Sequence, residues 1–343
     1  MPTKQLLILG GTRFLGRVFL EKLLSRPELA QSYTITLCNR GKTNPELFPE
    51  LRKIQADRET EQINLITGQD WDIILDFSGY YPSSFERMLA QLSGKVGRYI
   101  YVSTVSVYDL SKIGKAAPAV AEDFPLLECS AEEFKAHPDN GYKGMELYGK
   151  HKAACESVLT QQKGLESLIF RPAVVFGKYD YIDRHYYWIH RARNAKKILI
   201  PTPQHLANHT FVEDLAEVLI EALGIQKHQQ IYNLTTQNPH TLADTVRICA
   251  EYFHTRPELV LLDKNTLEKA GVNGGNKGVA LWYPLDFCFS NSRLVQDFQH
   301  PLTSLTDSLH KTIAYYQQLY GQDWKTGTYG WTIAQESDFL KQF

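Results

Sequence analysis

The stretch KQLLILGGTRFLG, residues 4–16, decides the fold of this chain. A short apolar run, Leu6 to Leu9, meets two glycines, and a pattern of apolar residues at helical spacing follows. A strand, a tight turn and a helix in this order point backbone N–H groups and the positive end of a helix dipole at one spot, as pyrophosphate sites do. Gly10 and Gly11 permit the turn and a close approach of phosphate to the backbone, and Gly16 lets the helix pack tightly on the sheet. The stretch therefore predicts a dinucleotide site.

The end of the second predicted strand indicates which dinucleotide is bound. YTITLC, residues 33–38, has the β-branched and aromatic pattern of a strand and leads into Asn39 and Arg40. A carboxylate about 20 residues beyond the last glycine would accept hydrogen bonds from the ribose 2′-hydroxyl of NAD, whereas arginine pairs with the 2′-phosphate of NADP. No carboxylate stands here, so Arg40 together with Arg13 favours NADP(H), with NAD(H) as the alternative. For Arg13, a solvated arginine at a helix start is the other interpretation.

Apolar runs alternate with helical patterns along most of the chain. Strands are predicted at 51–55, 71–79, 98–109, 167–177 and 230–235. The near-continuous apolar centre of 71–79 is typical of a strand that is covered on both faces in a parallel sheet. Turn and capping residues predict helix starts at Ser83 with Glu86, at Ser130 with Glu133 and at Thr241, and a helix end at Gly68. The long polar connection at 110–141 is of a length that commonly forms a functional lid.

This alternation predicts an α/β fold: a Rossmann-type doubly wound parallel sheet with a smaller C-terminal α/β substrate domain. We predict interleaved domains, because no linker or low-complexity segment separates the two halves. Residues 1–177 and 206–237 are assigned to an NAD(P)-binding domain, and residues 178–205 and 238–343 to a substrate-binding domain.

Composition excludes several classes of function. The formal net charge is −1 and no run of Lys or Arg occurs, so neither nucleic acid nor a membrane surface is an expected partner. Five cysteines lie far apart without C-x-x-C spacing, which favours free thiols in a reducing compartment over disulfides or zinc. The first strand begins within about five residues of the start and no apolar stretch reaches about 18 residues, so we expect a cytoplasmic protein. His185 and His190 lack helical i,i+4 ligand spacing, and no metal site is predicted.

Two further patterns carry candidate chemistry. Tyr148 and Lys152 stand at i and i+4 of a predicted helix, GMELYGKHKAACESVL at 144–159, and therefore share one face. Such a pair occurs in many helices and, taken alone, is equally a solvent-facing pair. The stretch YDYIDRHYYWIHRAR, residues 179–193, is dense in Tyr, Arg and His, and forms either the wall of a substrate pocket or the exposed side of a helix.

Taken together, these motifs resemble those of the extended and atypical short-chain dehydrogenase/reductases, the NAD-dependent epimerase/dehydratase-like proteins. The glycine turn matches G-x-x-G-x-x-G except that Arg13 replaces the middle glycine, and the order of the later motifs along the chain also matches. More narrowly, GGTRFLG, SVYD and YGKHKAACE resemble the atypical branch that includes bacterial reductase-like proteins and chloroplast stem-loop-binding proteins. Sugar-nucleotide epimerases usually carry an asparagine where this chain has Val174, which puts a nucleotide-sugar substrate in doubt.

The resemblance implies a set of site residues. The catalytic ones are Thr104, Tyr148 and Lys152. The cofactor contacts that it implies are Gly10, Gly11, Thr12, Arg13, Phe14, Leu15, Gly16, Asn39, Arg40, Asp57, Phe77, Ser78, Gly79, Tyr148, Lys152, Arg171 and Pro172. The candidate substrate contacts are Tyr80, Tyr108, Arg184 and His185. A free tyrosine has a pKa near 10, and Lys152 would favour the phenolate of Tyr148 so that it exchanges protons near neutral pH.

The implied function is that of an NADP(H)-dependent oxidoreductase, or of an epimerase that passes through a transient ketone. Its substrate would be small and polar, either sugar-like or a hydroxy-ketone, and a homodimer is expected only by analogy with relatives. The rival hypothesis is a cofactor-bound RNA-binding or regulatory protein on the same scaffold. A near-neutral charge and the presence of Thr104, Tyr148 and Lys152 favour the enzyme.

Overall fold

The computed structural model of the chain describes residues 3–92, 94–113, 119–137, 147–226, 228–236, 238–275 and 278–343. The chain forms two compact units. The first comprises Met1–Ala173, Glu213–Thr235 and Phe289–His300, and the second comprises Val174–Val212, Thr236–Cys288 and Pro301–Phe343. The residues that fall on the other side of the division from the predicted ranges are 174–177, 206–212, 236–237 and 289–300. Which unit holds the cofactor and which the substrate stays a prediction.

The regular elements alternate along the chain as the apolar pattern predicts. The strands are β1 (Lys4–Leu9), β2 (Tyr33–Asn39), β3 (Arg52–Gln55), β4 (Trp71–Asp76), β5 (Val96–Val102), β6 (Glu166–Pro172), β7 (Val175–Phe176), β8 (Lys197–Thr202), β9 (Thr210–Phe211), β10 (Ile231–Leu234) and β11 (Glu258–Asp263). The α-helices are α1 (Phe14–Leu24), α2 (Pro27–Ala30), α3 (Asn64–Thr67), α4 (Pro82–Gln91), α5 (Ala131–Lys135), α6 (Tyr148–Thr160), α7 (Arg184–Asn194), α8 (Val212–Ala222), α9 (Leu242–Phe253), α10 (Lys264–Lys269), α11 (Ser292–Asp297), α12 (Leu305–Tyr320) and α13 (Ile333–Phe339).

Within the described residues, seven parallel strands form the sheet of the first unit in the order β10-β6-β5-β4-β1-β2-β3. The order reverses at β1, where Leu6 pairs with Ile35 on one side and with Ile73 on the other. Ligands of such sheets bind beyond the carboxyl ends of the strands at this switch point. The predicted Rossmann-type fold is therefore confirmed. The glycine turn follows β1 and so lies at the switch point, where sheets of this topology bind their ligands.

The second unit has its own parallel pairs and its own core. β8 pairs with β11, and β7 pairs with β9. Its core includes Tyr186, Tyr187, Trp188 and Ile189, all at most 3% exposed, so the stretch 179–193 is not the exposed side of a helix. The physical reason is the large apolar area of these rings, which is buried although each Tyr and Trp also carries a polar atom.

Helix boundaries follow the capping residues, with one error. Ser130 with Glu133 forms the predicted capping box, Thr241 caps α9, and Gly68 ends α3. The predicted box at Ser83 is wrong, because α4 begins at Pro82 and Ser83 already lies inside its first turn. Proline suits the first helical position, where an N–H would have no intrahelical partner and φ is already close to the helical value.

Several predicted elements end elsewhere than expected. The strand predicted at 98–109 ends at Val102, because Thr104 caps a 3₁₀ turn, Val105–Val107. The strand predicted at 167–177 is divided into β6 and β7. The helix predicted at 144–159 is described from Tyr148, since 144–146 lie outside the described residues. Part of the 110–141 connection lies outside them as well, and its role as a lid stays a prediction.

Candidate active site

The glycine turn has the backbone geometry that a phosphate cradle needs. Gly10 and Gly11 have φ angles of 106° and 102°, a region that residues with a Cβ rarely adopt. A Cβ on Gly16 would lie 2.6 Å from Cα of Gly11, so only glycine lets the first turn of α1 approach the loop. The turn therefore has the geometry that can hold a dinucleotide phosphate at the start of α1, and the cofactor contacts from Thr12 to Leu15 stay a prediction.

The loop after β2 is tied to this turn. The hydroxyl of Thr12 donates to the carbonyl of Thr43 at 2.8 Å, and the side-chain amide of Asn44 donates to the carbonyl of Thr12 at 2.8 Å. Arg13 and Arg40 are exposed residues on the two joined segments. The hydrogen bonds keep the two segments together, and each segment carries one of the two arginines.

A buried ion pair joins the loop after β3 to the end of β4. Nη1 of Arg58 lies 2.9 Å from each carboxylate oxygen of Asp76, which is 0% exposed. Asp76 also accepts hydrogen bonds from the Tyr99 hydroxyl at 2.7 Å and from the backbone N–H of Ser78 at 2.7 Å. Burial raises the pKa of Asp76, but Arg58 and these hydrogen bonds outweigh it and hold the pKa below its ordinary value.

This pair places two predicted cofactor segments, Asp57 and the stretch from Phe77 to Gly79, on either side of one buried charge contact. Sequence reasoning missed both of its members, Arg58 and Asp76. The available signal was a carboxylate at the end of a strand whose centre, Ile73 to Leu75, is apolar.

Lys152 lies in α6 with its ammonium group fixed by the protein. Nζ donates to the carbonyl of Gly79 at 2.9 Å and to the carbonyl of Val102 at 2.8 Å, and it lies 4.2 Å from the ring centroid of Tyr101. The residue is 2% exposed. Burial lowers the pKa of Lys152 to about 8 even though Cys155 and Asp76 act in the opposite direction. The ammonium group of Lys152 is therefore held near the ends of β4 and β5, in the same helix as Tyr148.

Tyr148 begins α6 one helical turn before Lys152. A Cβ on Gly149 would overlap the carbonyl oxygen of Ser106, so this glycine lets the start of α6 lie directly on the 3₁₀ turn that Thr104 caps. The Thr104 hydroxyl accepts from the backbone N–H of Ser106 at 3.2 Å. The ring of Tyr80 lies 6.2 Å from that of Tyr148. The structure thus brings Tyr80, Thr104, Tyr148 and Lys152 to one end of the sheet.

Arg171 and Tyr108 belong to a different cluster inside the first unit. The Arg171 guanidinium donates to both carboxylate oxygens of Glu156 at 2.5 to 3.1 Å, to the Tyr108 hydroxyl at 2.9 Å and to the carbonyl of Glu122 at 2.9 Å. The Tyr108 hydroxyl in turn donates to Oδ1 of Asn233 at 2.6 Å. These contacts favour a structural role for Arg171 and Tyr108 over the ligand contacts that the family resemblance implies. Pro172 follows Arg171 at the end of β6.

Arg184 and His185 lie in the second unit at the start of α7. His185 is 1% exposed, stacks on Phe176 with ring centroids 4.1 Å apart, and shares a 2.9 Å hydrogen bond with His209. Burial, with the nearby charge of Arg184, lowers the pKa of His185 well below its ordinary value. His185 is therefore a neutral core imidazole at physiological pH. The Nε of Arg184 is buried and has no hydrogen-bond partner among the described residues.

The buried ammonium of Lys152 predicts a pH dependence of stability. Its pKa is about 8 in the folded chain and lies below the ordinary value of 10.5, so the unfolded chain binds more protons between these limits and stability rises with pH. Relative to Lys152→Met, which does not titrate, the free energy of unfolding should rise by about 1 kcal/mol per pH unit in this window. Denaturant titrations of both proteins between these pH values test this, and parallel pH profiles would contradict it.

Known proteins that are similar to this chain indicate its family and its fold. The sequence model of the NAD dependent epimerase/dehydratase family matches residues 6–235. The chain belongs to this family. The match confirms the predicted membership in the epimerase/dehydratase-like proteins.

A curated relative of this epimerase/dehydratase chain is the chloroplast stem-loop binding protein of 41 kDa b of Arabidopsis thaliana. It is 26% identical over 265 residues, which cover 72% of this chain. The match spans 63% of the relative's own length, so the relative has substantial sequence outside it.

Solved structures of similar fold include two bacterial sugar-nucleotide enzymes. UDP-glucuronic acid 4-epimerase of Bacillus cereus in complex with NAD is 17% identical with a TM-score of 0.67, over 92% of this chain and 99% of that one. UDP-glucose 4-epimerase of Thermus thermophilus in complex with NAD is 15% identical with a TM-score of 0.65, over 91% and 98% of the two chains. At such identities the likeness shows the fold.

No helix among the described residues is long and apolar enough to cross a membrane. The cytoplasmic location stays a prediction.

Proposed function

We propose that the chain is an NAD(P)(H)-dependent epimerase or oxidoreductase that acts at a hydroxyl-bearing carbon of a small polar substrate. The observation that carries the proposal is the fixed, buried ammonium of Lys152 in the same helix as Tyr148. Both lie at the carboxyl end of the parallel strands, as does the glycine turn. A bound nicotinamide supplies hydride exchange at its C4 atom. The protein's own residues bind and orient the reactants and manage the proton.

In this proposal the three polar residues divide the work. The Tyr148 hydroxyl gives its proton to the substrate oxygen when a carbonyl is reduced and takes it back when an alcohol is oxidised. The charge of Lys152 favours the phenolate form, and its fixed position also suits the hydroxyls of the nicotinamide ribose. Thr104 orients the substrate oxygen. Its hydroxyl gives up the hydrogen bond that it donates to Oγ of Ser106 and donates to the substrate instead.

The substrate that we propose is sugar-like or a hydroxy-ketone. The similar bacterial enzymes bind UDP-sugars, as in the Bacillus cereus epimerase in complex with UDP-glucuronic acid and NAD. Sugar-nucleotide epimerases usually carry an asparagine where this chain has Val174. This difference argues against a nucleotide-sugar substrate. Tyr80, 39% exposed and 6.2 Å from the ring of Tyr148, is the substrate contact that the geometry supports best.

For the cofactor we propose a preference for NADP(H). The support is the pair of exposed arginines, Arg13 and Arg40, on two segments that Thr12 and Asn44 tie together. A doubly charged 2′-phosphate gains charge-assisted hydrogen bonds from a guanidinium, and the ribose hydroxyl of NAD finds no carboxylate at this strand end.

Thermal unfolding with NADPH and with NADH tests the site and the preference together. A ligand at 100 times its Kd adds about 2.7 kcal/mol of stability, which raises the melting temperature by several degrees. We expect a larger shift with NADPH, and Arg40→Asp should remove most of this excess. Lys95→Asp is the matched charge reversal, because Lys95 is exposed and precedes β5, at the opposite edge of the sheet.

Equal shifts of the melting temperature with NADPH and NADH, unchanged in Arg40→Asp, would show that the arginines do not bind the 2′-phosphate. Absence of any shift, in a protein from which extraction recovers no nicotinamide, would remove the cofactor site and with it the proposed activity.

The name of the Arabidopsis relative favours a second candidate, a cofactor-bound protein that binds stem-loop RNA. Its electrostatic signature would be binding that weakens steeply with salt. Because the net charge of the chain is −1, we expect no retardation of a stem-loop RNA in a gel at physiological salt. Saturable retardation that decreases as salt is raised would favour the RNA-binding protein instead.

A further inference from the structure

A second group of reactive side chains lies outside the candidate active site, in the first unit. Oγ of Ser83 is 2.9 Å from Nε2 of His137, and Nδ1 of the same imidazole is 3.5 Å from Oε2 of Glu59. The order is hydroxyl, imidazole and carboxylate, with each imidazole nitrogen facing one partner. We call Ser83, His137 and Glu59 the Ser83 cluster.

Neighbouring groups hold the imidazole and the carboxylate in place. The ring of Tyr81 stacks on His137, with centroids 4.5 Å apart and planes 28° apart. Ser84 donates a hydrogen bond to Oε2 of Glu59. Three separate segments therefore meet here: the loop after β3, the first turn of α4 and the residues that follow α5. A hydroxyl that served only as a helix cap would bond a backbone N–H, whereas the Ser83 hydroxyl bonds an imidazole.

The surroundings admit a small reactant. The side chain of His137 is 43% exposed and that of Glu59 is 25% exposed, so solvent reaches the cluster. Ser83 lies at the second position of the ten-residue helix α4, whose first backbone N–H groups have no intrahelical acceptor. Donors of this kind, with the positive end of the helix dipole, stabilise negative charge that develops next to them.

We propose that the Ser83 cluster is a serine nucleophile site that hydrolyses small carboxylic esters without a nicotinamide cofactor. Oγ of Ser83 bonds to the ester carbonyl carbon while its proton passes to Nε2 of His137. The bond from that carbon to the alcohol oxygen breaks, and the alcohol leaves with the proton. Water then gives a proton to the same nitrogen, adds to the acyl-serine, and releases the carboxylic acid and free Ser83. Glu59, whose Oε2 lies 3.5 Å from Nδ1, stabilises the charged imidazole by electrostatic attraction.

The test uses the full chain with two probes: p-nitrophenyl acetate for turnover, and a biotinylated fluorophosphonate, which bonds covalently to an activated serine with loss of fluoride. We expect fluorophosphonate on Ser83 in peptide mass spectra. Ser83→Ala and His137→Gln should each lower ester hydrolysis by about 100-fold or more, the range of a lost nucleophile or general base. Glu59→Gln should lower it less, because the imidazole keeps its contact with Ser83.

Ser111→Ala is the matched control. Ser111 is an exposed serine whose hydroxyl lies 2.5 Å from a carboxylate oxygen of Asp109. Ser111→Ala should carry the label on Ser83 and hydrolyse the ester like the unmodified protein. Equal melting temperatures for Ser83→Ala and the unmodified protein establish that the variant is folded. Absence of label on Ser83, or hydrolysis that Ser83→Ala leaves unchanged, would overturn the proposal and leave the Ser83 contact as an anchor for the chain after α5.

Discussion

Tyr148→Phe is expected to lower the turnover number by about 10²–10⁴, the range of a positioned acid/base group, while leaving nicotinamide binding nearly unchanged. The substitution removes one oxygen and keeps the ring beside Tyr80 and the packing at the start of α6. Turnover is followed by the absorbance of reduced nicotinamide with a substrate obtained from a screen of sugars and hydroxy-ketones. Cofactor binding is followed by the melting shift, which needs no substrate.

Tyr80→Phe provides the matched control, because it removes a phenol hydroxyl from the ring that neighbours Tyr148. We expect it to raise KM with a much smaller change in turnover. Full activity in Tyr148→Phe would exclude this tyrosine as the acid/base group. Loss of the cofactor-induced shift in that variant would instead assign the hydroxyl to cofactor binding.

Arg171→Met is expected to lower the free energy of unfolding by about 3–5 kcal/mol, the usual result of leaving a buried charge without its partner. Arg171 is 1% exposed and Glu156 is 2% exposed, and the substitution leaves the Glu156 carboxylate buried and uncompensated. It also removes the donors to the Tyr108 hydroxyl and to the carbonyl of Glu122. Urea unfolding of the purified proteins measures the loss.

Two further variants test whether the loss of stability in Arg171→Met comes from the buried charge of Glu156. Lys150→Met breaks a salt bridge of similar length, 2.6 Å to Glu133, between side chains that are 32% and 27% exposed, and should change stability far less because solvent screens this pair. The double variant Arg171→Met with Glu156→Leu should recover much of the loss, because no charge is then buried alone. If Arg171→Met unfolds normally but no longer responds to cofactor, Arg171 is a cofactor ligand as the resemblance implies, and the structural role is wrong.

Local sequence was sufficient for the framework of the first unit. Short apolar runs bounded by glycine or polar residues gave β1, β2 and β4 within about three residues, because strands buried on both faces must be apolar throughout. The glycine turn, the capping box at Ser130 and the cap at Thr241 were also predictable, since each depends on backbone conformation or on hydrogen bonds within a few residues.

Local sequence failed where distant segments compete for the same side chain. Ser83 reads as a helix cap, but Pro82 begins the helix and the hydroxyl bonds His137, 54 residues further along the chain. The tyrosine-rich stretch at 179–193 reads as polar, but the rings of α7 are buried in the core of the second unit. The contacts of the Arg171 guanidinium with Glu156, Tyr108 and Glu122 also join distant segments, and its predicted cofactor contact stays a prediction.

The sequence by itself determined that a glycine turn joins β1 to α1 and that a tyrosine and a lysine share one helical face, because both facts follow from the spacing of residues along regular elements. Only the tertiary structure decided that Lys152 is buried between the carbonyls of Gly79 and Val102, and that Arg58 neutralises Asp76 at the end of β4. The reason is physical: burial and charge pairing depend on which segments meet when the sheet forms, and a hydrogen bond between residues 73 positions apart has no signature in the local sequence.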